Sequence, residues 1–281
     1  MSRLFVLFQY LLPQHTLSRL LGKLAQGRFL KNTLISLFIK RYKVDLSEAQ
    51  INDPDEFDNF NAFFTRALKE DARPLASEDY AVLCPADGSI SEAGNIEEDR
   101  ILQAKGRYYT VQELLTDEND ARHFRGGNFV TVYLSPRDYH RVHMPLQGTL
   151  LHSVYVPGKL FSVNQATADS VPRLFARNER LVCLFDTPAG KMALVLVGAM
   201  VVAGIETVWS GQVCPAPVRK LHRTDFGETT PPVQLARGAE MGRFKLGSTA
   251  IVLFEPGAVT LDASAVAGKA TRMGQLLGRI N

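Results

Sequence analysis

The sequence contains only three cysteines, Cys84, Cys183 and Cys214, among 281 residues. They are far apart and odd in number, which argues against a disulfide framework and against a cysteine-rich metal site. Isolated thiols of this kind instead predict reduced side chains packed inside a cytoplasmic protein. The first apolar run is also short, because residues 4–12 end at Pro13, whereas a membrane-spanning helix needs about 20 residues. We therefore expect a protein that does not span a membrane and holds no metal.

Acidic residues are missing from positions 1–44, which hold eight basic residues. The whole chain has 32 basic and 29 acidic residues, so the remainder holds 24 basic against 29 acidic. Apolar residues in the N-terminal segment recur at helical spacing, at Leu17, Leu20, Leu21 and Leu24 and again at Leu30, Leu34, Leu37 and Phe38. Residues 1–44 are thus expected to form amphipathic helices at an anionic membrane surface, or else to pack these stripes on the body. High leucine and aromatic content argues against a nucleic-acid-binding arm.

The rest of the chain, 45–281, is expected to be one β-rich catalytic domain. Apolar stretches predict strands at Phe129–Leu134, Thr149–Val156, Leu181–Phe185, Met192–Val202 and Ala250–Phe254. The turn residues 186–190 predict a hairpin, and Val111–Leu115 predicts a short helix. A further helix is predicted from Asp53, with Phe57, Phe60, Phe64 and Leu68 on one packed face. The predicted fold class is α+β: a single β-rich domain with N-terminal amphipathic helices.

The string Leu246-Gly247-Ser248-Thr249 interrupts an apolar segment just before the last of these strands. A glycine at this place lacks the Cβ that would crowd an approach of the Ser248 hydroxyl to the Gly247 carbonyl. Serine needs a neighbouring base to attack such a carbonyl, and histidine suits that task near neutral pH. The string alone is a weak signal, and the other motifs decide its meaning.

Further motifs occur in a fixed order along the chain. They are Phe63-Phe64-Thr65-Arg66, Pro85-Ala86-Asp87-Gly88, Tyr139-His140-Arg141-Val142-His143-Met144-Pro145, Val156-Pro157-Gly158-Lys159-Leu160 and Gly238-Ala239-Glu240-Met241-Gly242. Together with the Leu-Gly-Ser-Thr string, and over nearly the whole chain, they resemble the bacterial phosphatidylserine decarboxylases. That family cleaves its own chain at this string and makes a pyruvoyl group there.

The resemblance implies a self-cleaving enzyme that converts phosphatidylserine to phosphatidylethanolamine and carbon dioxide. It assigns Ser248 as the nucleophile, His143 as its base and Asp87 as the acid that orients the base. Cleavage between Gly247 and Ser248 would leave a large chain, 1–247, and a small chain, 248–281, whose first residue becomes a covalent pyruvoyl group. The two chains are expected to remain a heterodimer, with a dimer of such pairs as a further expectation. The expected location is peripheral, on the cytoplasmic side of the cell membrane, with the phospholipid substrate as partner.

His140 precedes His143 by three residues, so on a strand or an irregular turn the two imidazoles would point in different directions. We therefore assign His140 to protonation of the substrate and His143 to maturation, as a hypothesis. Simpler interpretations of the same residues are a common Asp-Gly turn at Asp87 and structural histidines. A zinc pair lacks a third ligand nearby.

Three other functions fit parts of the pattern. A pyruvoyl decarboxylase of a soluble amino acid would use the same chemistry but would need no basic amphipathic helices. A hydrolase built on Ser248, His143 and Asp87 would keep its serine in an intact chain, and it lacks the G-x-S-x-G elbow. A membrane-associated scaffold would neither cleave itself nor release carbon dioxide.

Overall fold

Strands account for more of this chain than helices do. The computed structural model describes residues 7, 9–28, 30–200, 204–216, 218–227, 230–245 and 248–281. About 23% of the chain is helix and 37% is strand, which confirms the predicted β-rich α+β class. The helices with described bounds are α1 (Gln14–Gln26), α2 (Lys31–Tyr42), α3 (Phe60–Phe64), α4 (Val111–Leu115), α5 (Glu118–Phe124), α6 (Gln165–Ala168) and α7 (Leu174–Arg177).

The strands form four sheets within the described residues. The first nine are β1 (Ala81–Leu83), β2 (Gly88–Asn95), β3 (Arg100–Ala104), β4 (Arg107–Thr110), β5 (Asn128–Leu134), β6 (Arg141–His143), β7 (Gly148–Val156), β8 (Arg180–Thr187) and β9 (Gly190–Gly198). The others are β10 (Gly204–Thr207), β11 (Gly211–Cys214), β12 (His222–Asp225), β13 (Gln234–Leu235), β14 (Glu240–Lys245), β15 (Ser248–Phe254), β16 (Val259–Leu261), β17 (Ala270–Thr271) and β18 (Leu276–Ile280).

A nine-stranded antiparallel sheet is the centre of the body, in the order β12-β7-β8-β9-β15-β5-β2-β17, with β13 beside β7. Strand β15 pairs with β9 on one side and β5 on the other over its whole length. Every residue of β15 is buried. Its side chains alternate between two cores, since Ala250 and Val252 pack on one face and Ile251 and Leu253 on the other. Burial of both faces explains why this strand reads as a continuous apolar run.

The five predicted strands are all present, although their bounds differ by a few residues. The hairpin between β8 and β9 is confirmed, with Thr187 paired to Gly190. The strand predicted to reach Val202 ends at Gly198, and 201–203 lie outside the described residues. Helix α4 has the predicted bounds, and Thr110 and Glu113 form a capping box at its start. Helix α5 was not predicted; Asp117 caps it by accepting hydrogen bonds from two backbone amides.

The helix predicted from Asp53 is wrong in its extent. Only a 3₁₀ turn forms, Pro54–Glu56, because the Asp53 carboxylate accepts from the nearby Asp55 amide and the chain is extended again at Phe57. Asn59 then caps the separate helix α3 through the Ala62 amide. The core role of the phenylalanines is nevertheless confirmed. They form a buried cluster with residues of both N-terminal helices, and its members include Ala25, Ile35, Phe57, Phe60, Phe63 and Phe64.

The two N-terminal helices turn much of their apolar stripe away from the body. In α1 the buried residues are Gln14, Ser18 and Ala25, whereas Leu20 and Leu24 are 57% and 56% exposed. Besides Ala25 in the phenylalanine cluster, polar contacts attach the helix, as Gln14 Oε1 accepts from the Leu160 amide at 2.8 Å. Packing of the whole stripe on the body, the alternative left open by the sequence, therefore does not occur. Within the described residues, no helix is both long and apolar enough to cross a bilayer.

Strands β11, β10, β14 and β6 form, in that order, a second sheet of four strands. Strand β14 of this sheet ends at Lys245, and β15 of the central sheet begins at Ser248. The chain thus passes from one sheet to the other across only two residues. Those two residues, Leu246 and Gly247, lie outside the described residues.

Candidate functional site

Ser248 occupies the first position of the central strand β15. It pairs with Leu134 of β5 and with Gly198 of β9, and its side chain is fully buried. Its Oγ has no hydrogen-bond partner in the described part of the chain. A buried hydroxyl without a partner costs about 1–3 kcal/mol and therefore calls for an explanation. Gly247, the other half of the predicted cleavage site, lies outside the described residues.

Asp87 lies in the turn just before β2, on the far side of β5 from Ser248. Gly88 begins β2 with φ of +154°, and a Cβ there would be 2.1 Å from the Tyr133 carbonyl oxygen. Only glycine allows this close approach of β2 to β5. Tyr133 itself pairs with Thr249. The glycine of the Asp-Gly turn therefore holds Asp87 within two strands of Ser248.

The Asp87 carboxylate is buried and accepts hydrogen bonds from Arg73 and from a backbone amide. Arg73 Nε donates to Oδ1 at 2.9 Å, and Arg73 Nη2 donates to Oδ2. The Met273 amide donates to Oδ1 at 2.9 Å. No hydrogen bond to His143 is present among the described contacts of this carboxylate. Burial lowers the pKa of His143, whereas the hydrogen bond to Gly238 and the charges of Glu240 and, more weakly, Asp87 raise it.

His143 ends strand β6, and its backbone amide donates to the Pro85 carbonyl at 2.8 Å. This contact brings the strand against the turn that contains Asp87. On the side chain, Nδ1 lies 2.8 Å from the Gly238 carbonyl and Nε2 lies 3.0 Å from the Tyr139 hydroxyl. Because a carbonyl can only accept, we assign the proton to Nδ1, which leaves Nε2 to accept from Tyr139. Burial lowers the pKa of His143, so the imidazole is neutral and Nε2 can serve as a base.

His140 has different surroundings from His143. Its side chain is fully buried, its ring centroid lies 4.0 Å from that of Phe64, and burial lowers its pKa to about 3. Nδ1 donates to the Asp138 carbonyl at 2.8 Å, whereas Nε2 has no partner in the described residues. The His140 carbonyl accepts from Phe244 in β14. The two histidines therefore have separate partners, and His140 is tied to the strand that leads to the predicted cleavage site.

Two arginines, Arg66 and Arg73, also support this site, although the sequence gave neither of them a role. Arg73 holds Asp87, and no pattern in the sequence marked it. Arg66 is the last residue of the Phe-Phe-Thr-Arg motif, and its Nη2 donates to the Arg137 carbonyl at 3.0 Å. Because that carbonyl lies in the loop before His140, Arg66 fixes the loop. The Phe-Phe-Thr-Arg motif pointed to Arg66 in the sequence but did not indicate what the residue does.

Other groups that the sequence raised can also be placed. The carbonyl of Gly238, in the Gly238–Gly242 motif, holds His143. The Val156–Leu160 motif attaches helix α1, because the Gly158 carbonyl accepts from His15 Nε2 at 2.9 Å. In the described residues, no group of three or more His, Cys, Asp or Glu side chains is arranged to hold a metal ion.

Ser248 on the central strand, Asp87 two strands away and His143 against the turn of Asp87 form the candidate site of this β-rich α+β protein. Comparison with known proteins gives the family. A family model described as phosphatidylserine decarboxylase matches residues 60–279, and a second, described as PSD, matches residues 4–43. The chain belongs to the phosphatidylserine decarboxylase family, which confirms the resemblance noted in the sequence.

Curated relatives agree with this assignment over nearly the full length. The phosphatidylserine decarboxylase proenzyme of Ectopseudomonas mendocina is 61% identical over 281 residues, covering 99% of this chain and 98% of the relative. The proenzymes of Pseudomonas aeruginosa and Pseudomonas putida are each 60% identical over 280 residues, with 98% of this chain covered and 96% and 97% of the relatives.

Proposed function

We propose that this protein decarboxylates phosphatidylserine to phosphatidylethanolamine after cutting its own chain between Gly247 and Ser248. The family and the names of the curated relatives support the reaction, and the word proenzyme in those names fits a cleaved precursor. The observation that carries the cleavage site is the buried Ser248 Oγ without a partner, at the first position of the central strand. Because no described residue engages this hydroxyl, it is available as a nucleophile.

In the proposed maturation, Ser248 Oγ attacks the Gly247 carbonyl carbon and the peptide C–N bond breaks, which leaves an ester and a free amine. His143 accepts the hydroxyl proton at Nε2, which burial favours in its unprotonated form and which must exchange its hydrogen bond from the Tyr139 hydroxyl for one from Ser248. The negative charge of Asp87 favours the imidazolium that forms. Arg73 and the Met273 amide hold that carboxylate in place. Asp87 thus acts through its charge, while the Gly238 carbonyl orients the ring.

Loss of the Ser248 Cα proton then expels the Gly247 carboxylate and leaves dehydroalanine. Its enamine form tautomerises and is hydrolysed by water, which releases ammonia and leaves a pyruvoyl group as the blocked start of the small chain. A pyruvoyl group supplies a carbonyl for condensation with the substrate amine and an electron sink for decarboxylation. We assign His140 to the substrate proton: its Nδ1–H is held by the Asp138 carbonyl, so the unpartnered Nε2 first takes up the proton that it then delivers to the substrate.

The N-terminal segment 1–44 is the proposed membrane-interface part, and 45–281 is the proposed catalytic domain. Support comes from the exposed leucines of α1 and α2, since Leu34 and Leu37 are 42% and 65% exposed in addition to Leu20 and Leu24. Basic residues in the same segment would be attracted to anionic headgroups. The three cysteines are free and buried, which fits attachment at the cytoplasmic face of the cell membrane. A soluble amino acid substrate would give these exposed leucines no role.

Mass spectrometry under denaturing conditions tests the proposal in purified, active protein. We expect two chains, 1–247 and 248–281, with residue 248 present as pyruvoyl and no free amine at the start of the small chain. Substitution Ser248→Ala should give one uncut chain and no release of carbon dioxide. Active protein with an intact chain and an unmodified serine would overturn the proposal and favour a hydrolase.

A further inference from the structure

A cavity of about 430 Å³ lies between helix α1 and the end of strand β9. Its walls include Ser18, Arg19 and Lys23 of the helix and Gly198 of the strand. Gly198 is the residue paired with Ser248 in the central sheet. The volume falls in the range of roughly 300–1,000 Å³ that is usual for small-molecule sites. The cavity therefore connects the N-terminal helix with the strand position beside the candidate reaction site.

Two cations are available at the mouth of this cavity. Arg19 and Lys23 are four residues apart, so they lie on the same face of α1, and both are exposed. Neither forms an ion pair with any residue that the structure describes. His15 lies one turn earlier on that face, but its Nε2–H donates to the Gly158 carbonyl and burial lowers its pKa. Arg19 and Lys23 are thus the charges left free to meet an anion.

The interior of the cavity carries polar groups of a different kind. Ser18 is only 5% exposed, and its Oγ has no hydrogen-bond partner among the described residues. Glu179 is also 5% exposed, and its Oε1 accepts from the Tyr155 hydroxyl at 2.6 Å. Ser18 belongs to the wall of the cavity, and a buried hydroxyl without a partner at such a wall points to a ligand, because leaving it unsatisfied is costly.

We propose that this cavity binds the headgroup of an anionic phosphodiester lipid, an inference that rests on the proposed function and extends it. A phosphoserine headgroup has two anionic groups and one ammonium. Arg19 and Lys23 match the phosphate and the carboxylate, Glu179 matches the ammonium, and the Ser18 hydroxyl donates to a headgroup oxygen. The amine then enters toward Gly198, while the phosphate stays at the mouth.

The same helix also explains how the acyl chains would remain outside. Leu20 and Leu24 each follow one of the two cations, so they lie about 100° further around the helix. Both leucines are exposed. Helix α1 would therefore present cations to the headgroup on one face and leucines to the bilayer on the adjacent face. In this arrangement the N-terminal segment recognises the substrate as well as the membrane surface.

Binding to the full-length Ser248→Ala protein tests the inference without any turnover. Monomeric dihexanoyl phosphatidylserine is titrated by calorimetry, with dihexanoyl phosphatidylglycerol and inorganic phosphate as the other probes. We expect Arg19→Gln and Lys23→Gln each to raise Kd for the phosphatidylserine about tenfold, the loss of one charge-assisted hydrogen bond of about 1.4 kcal/mol. The matched control Lys40→Gln removes a charge from α2, away from the cavity, and should bind as the parent does.

Two further variants separate recognition from structural damage. Ser18→Ala removes an unsatisfied hydroxyl, so it should leave the thermal stability unchanged or higher and yet weaken binding. Glu179→Gln should reduce the preference for the serine headgroup over the glycerol headgroup. Because Ser248→Ala cannot mature, these results do not depend on decarboxylation.

Three outcomes would overturn the inference, whatever the fate of the proposed function. The first is a Kd unchanged in both Arg19→Gln and Lys23→Gln. The second is inorganic phosphate binding as tightly as the lipid, which would make this a free-phosphate site. The third is failure of the Ser248→Ala protein to bind the phosphatidylserine at all.

Discussion

His140 and His143 have different surroundings although they are only three positions apart. His143 has both ring nitrogens in hydrogen bonds and keeps some electrostatic help from Asp87, whereas His140 is fully buried with Nε2 unpartnered. The first is arranged to take a proton and carry the resulting charge near a carboxylate. The second is held neutral by its apolar surroundings, including the ring of Phe64.

Exchange of each histidine should therefore affect different steps. His143→Ala should stop cleavage, because no base remains for Ser248. His140→Ala should mature normally but release carbon dioxide roughly 10²–10⁴-fold more slowly, the usual loss for a proton-transfer residue. Gel analysis of the two chains and assay of carbon dioxide from the same preparations separate the steps. Normal turnover in His140→Ala would contradict the assignment.

The pH dependence of maturation follows from the lowered pKa of His143. Cleavage needs the neutral imidazole, and burial lowers its pKa below the ordinary value of 6.5. The cleavage rate should thus decline as pH falls, with a midpoint below 6.5. Cell-free synthesis followed by a pH jump measures this rate. Asp87→Asn should move the midpoint lower still, since the carboxylate raises the pKa of His143. A midpoint above 6.5 would refute the assignment of His143 as the base.

At the scale of elements, the close approach of strand β2 to β5 at Gly88 determines where the turn with Asp87 lies. The same strand provides a matched comparison. Gly94 has φ of +155°, nearly the value of +154° at Gly88, but an added Cβ would meet nothing within 4 Å there. The two glycines therefore separate the cost of backbone conformation from the cost of close approach.

Alanine at these two positions should have unequal effects. Gly88→Ala forces a Cβ against the Tyr133 carbonyl oxygen, so β2 must move away from β5. We expect it to destabilise the protein by about 1–3 kcal/mol more than Gly94→Ala, as overpacking does, and to slow cleavage by displacing Asp87. Urea denaturation of Ser248→Ala versions measures the stability, and gels of the cleavable versions measure the rate. Equal effects would show that close approach to β5 is not what holds the turn.

Elements with strong local signals were predictable from the sequence. The continuous apolar run of β15, the hairpin of β8 and β9 and the capped helix α4 all depend on neighbouring residues. The hydrogen bond from Arg73 to Asp87 joins residues 14 positions apart, and the one from His143 to the Gly238 carbonyl joins residues 95 positions apart. No local pattern encodes such pairs, which is why the motifs indicated Asp87 and His143 but not the hydrogen bonds that hold them. The helix predicted from Asp53 is wrong because the Asp53 carboxylate accepts from the Asp55 amide and so caps only a short turn.

At the scale of the whole molecule, the proposed cut would divide the sheets between two chains. The small chain 248–281 contains β15, which lies between β9 and β5 of the large chain, and β18, which pairs with β1. It also supplies the Met273 amide that donates to Asp87 of the large chain. All seven residues of β15 are buried, so separating the chains would expose the centre of both cores.

The two chains should therefore stay together after cleavage without any covalent link. We expect the mature protein to elute as one species in size-exclusion chromatography under native conditions and to give two chains only in denaturant. Val252→Asp places a charge in the buried centre of β15, where no partner can satisfy it, and should prevent this assembly. Thr260→Asp, at an exposed position of β16 in the same small chain, is the matched control and should leave the pair intact. Release of the small chain from the unmodified protein in native buffer would show that the central strand is not what joins the two products.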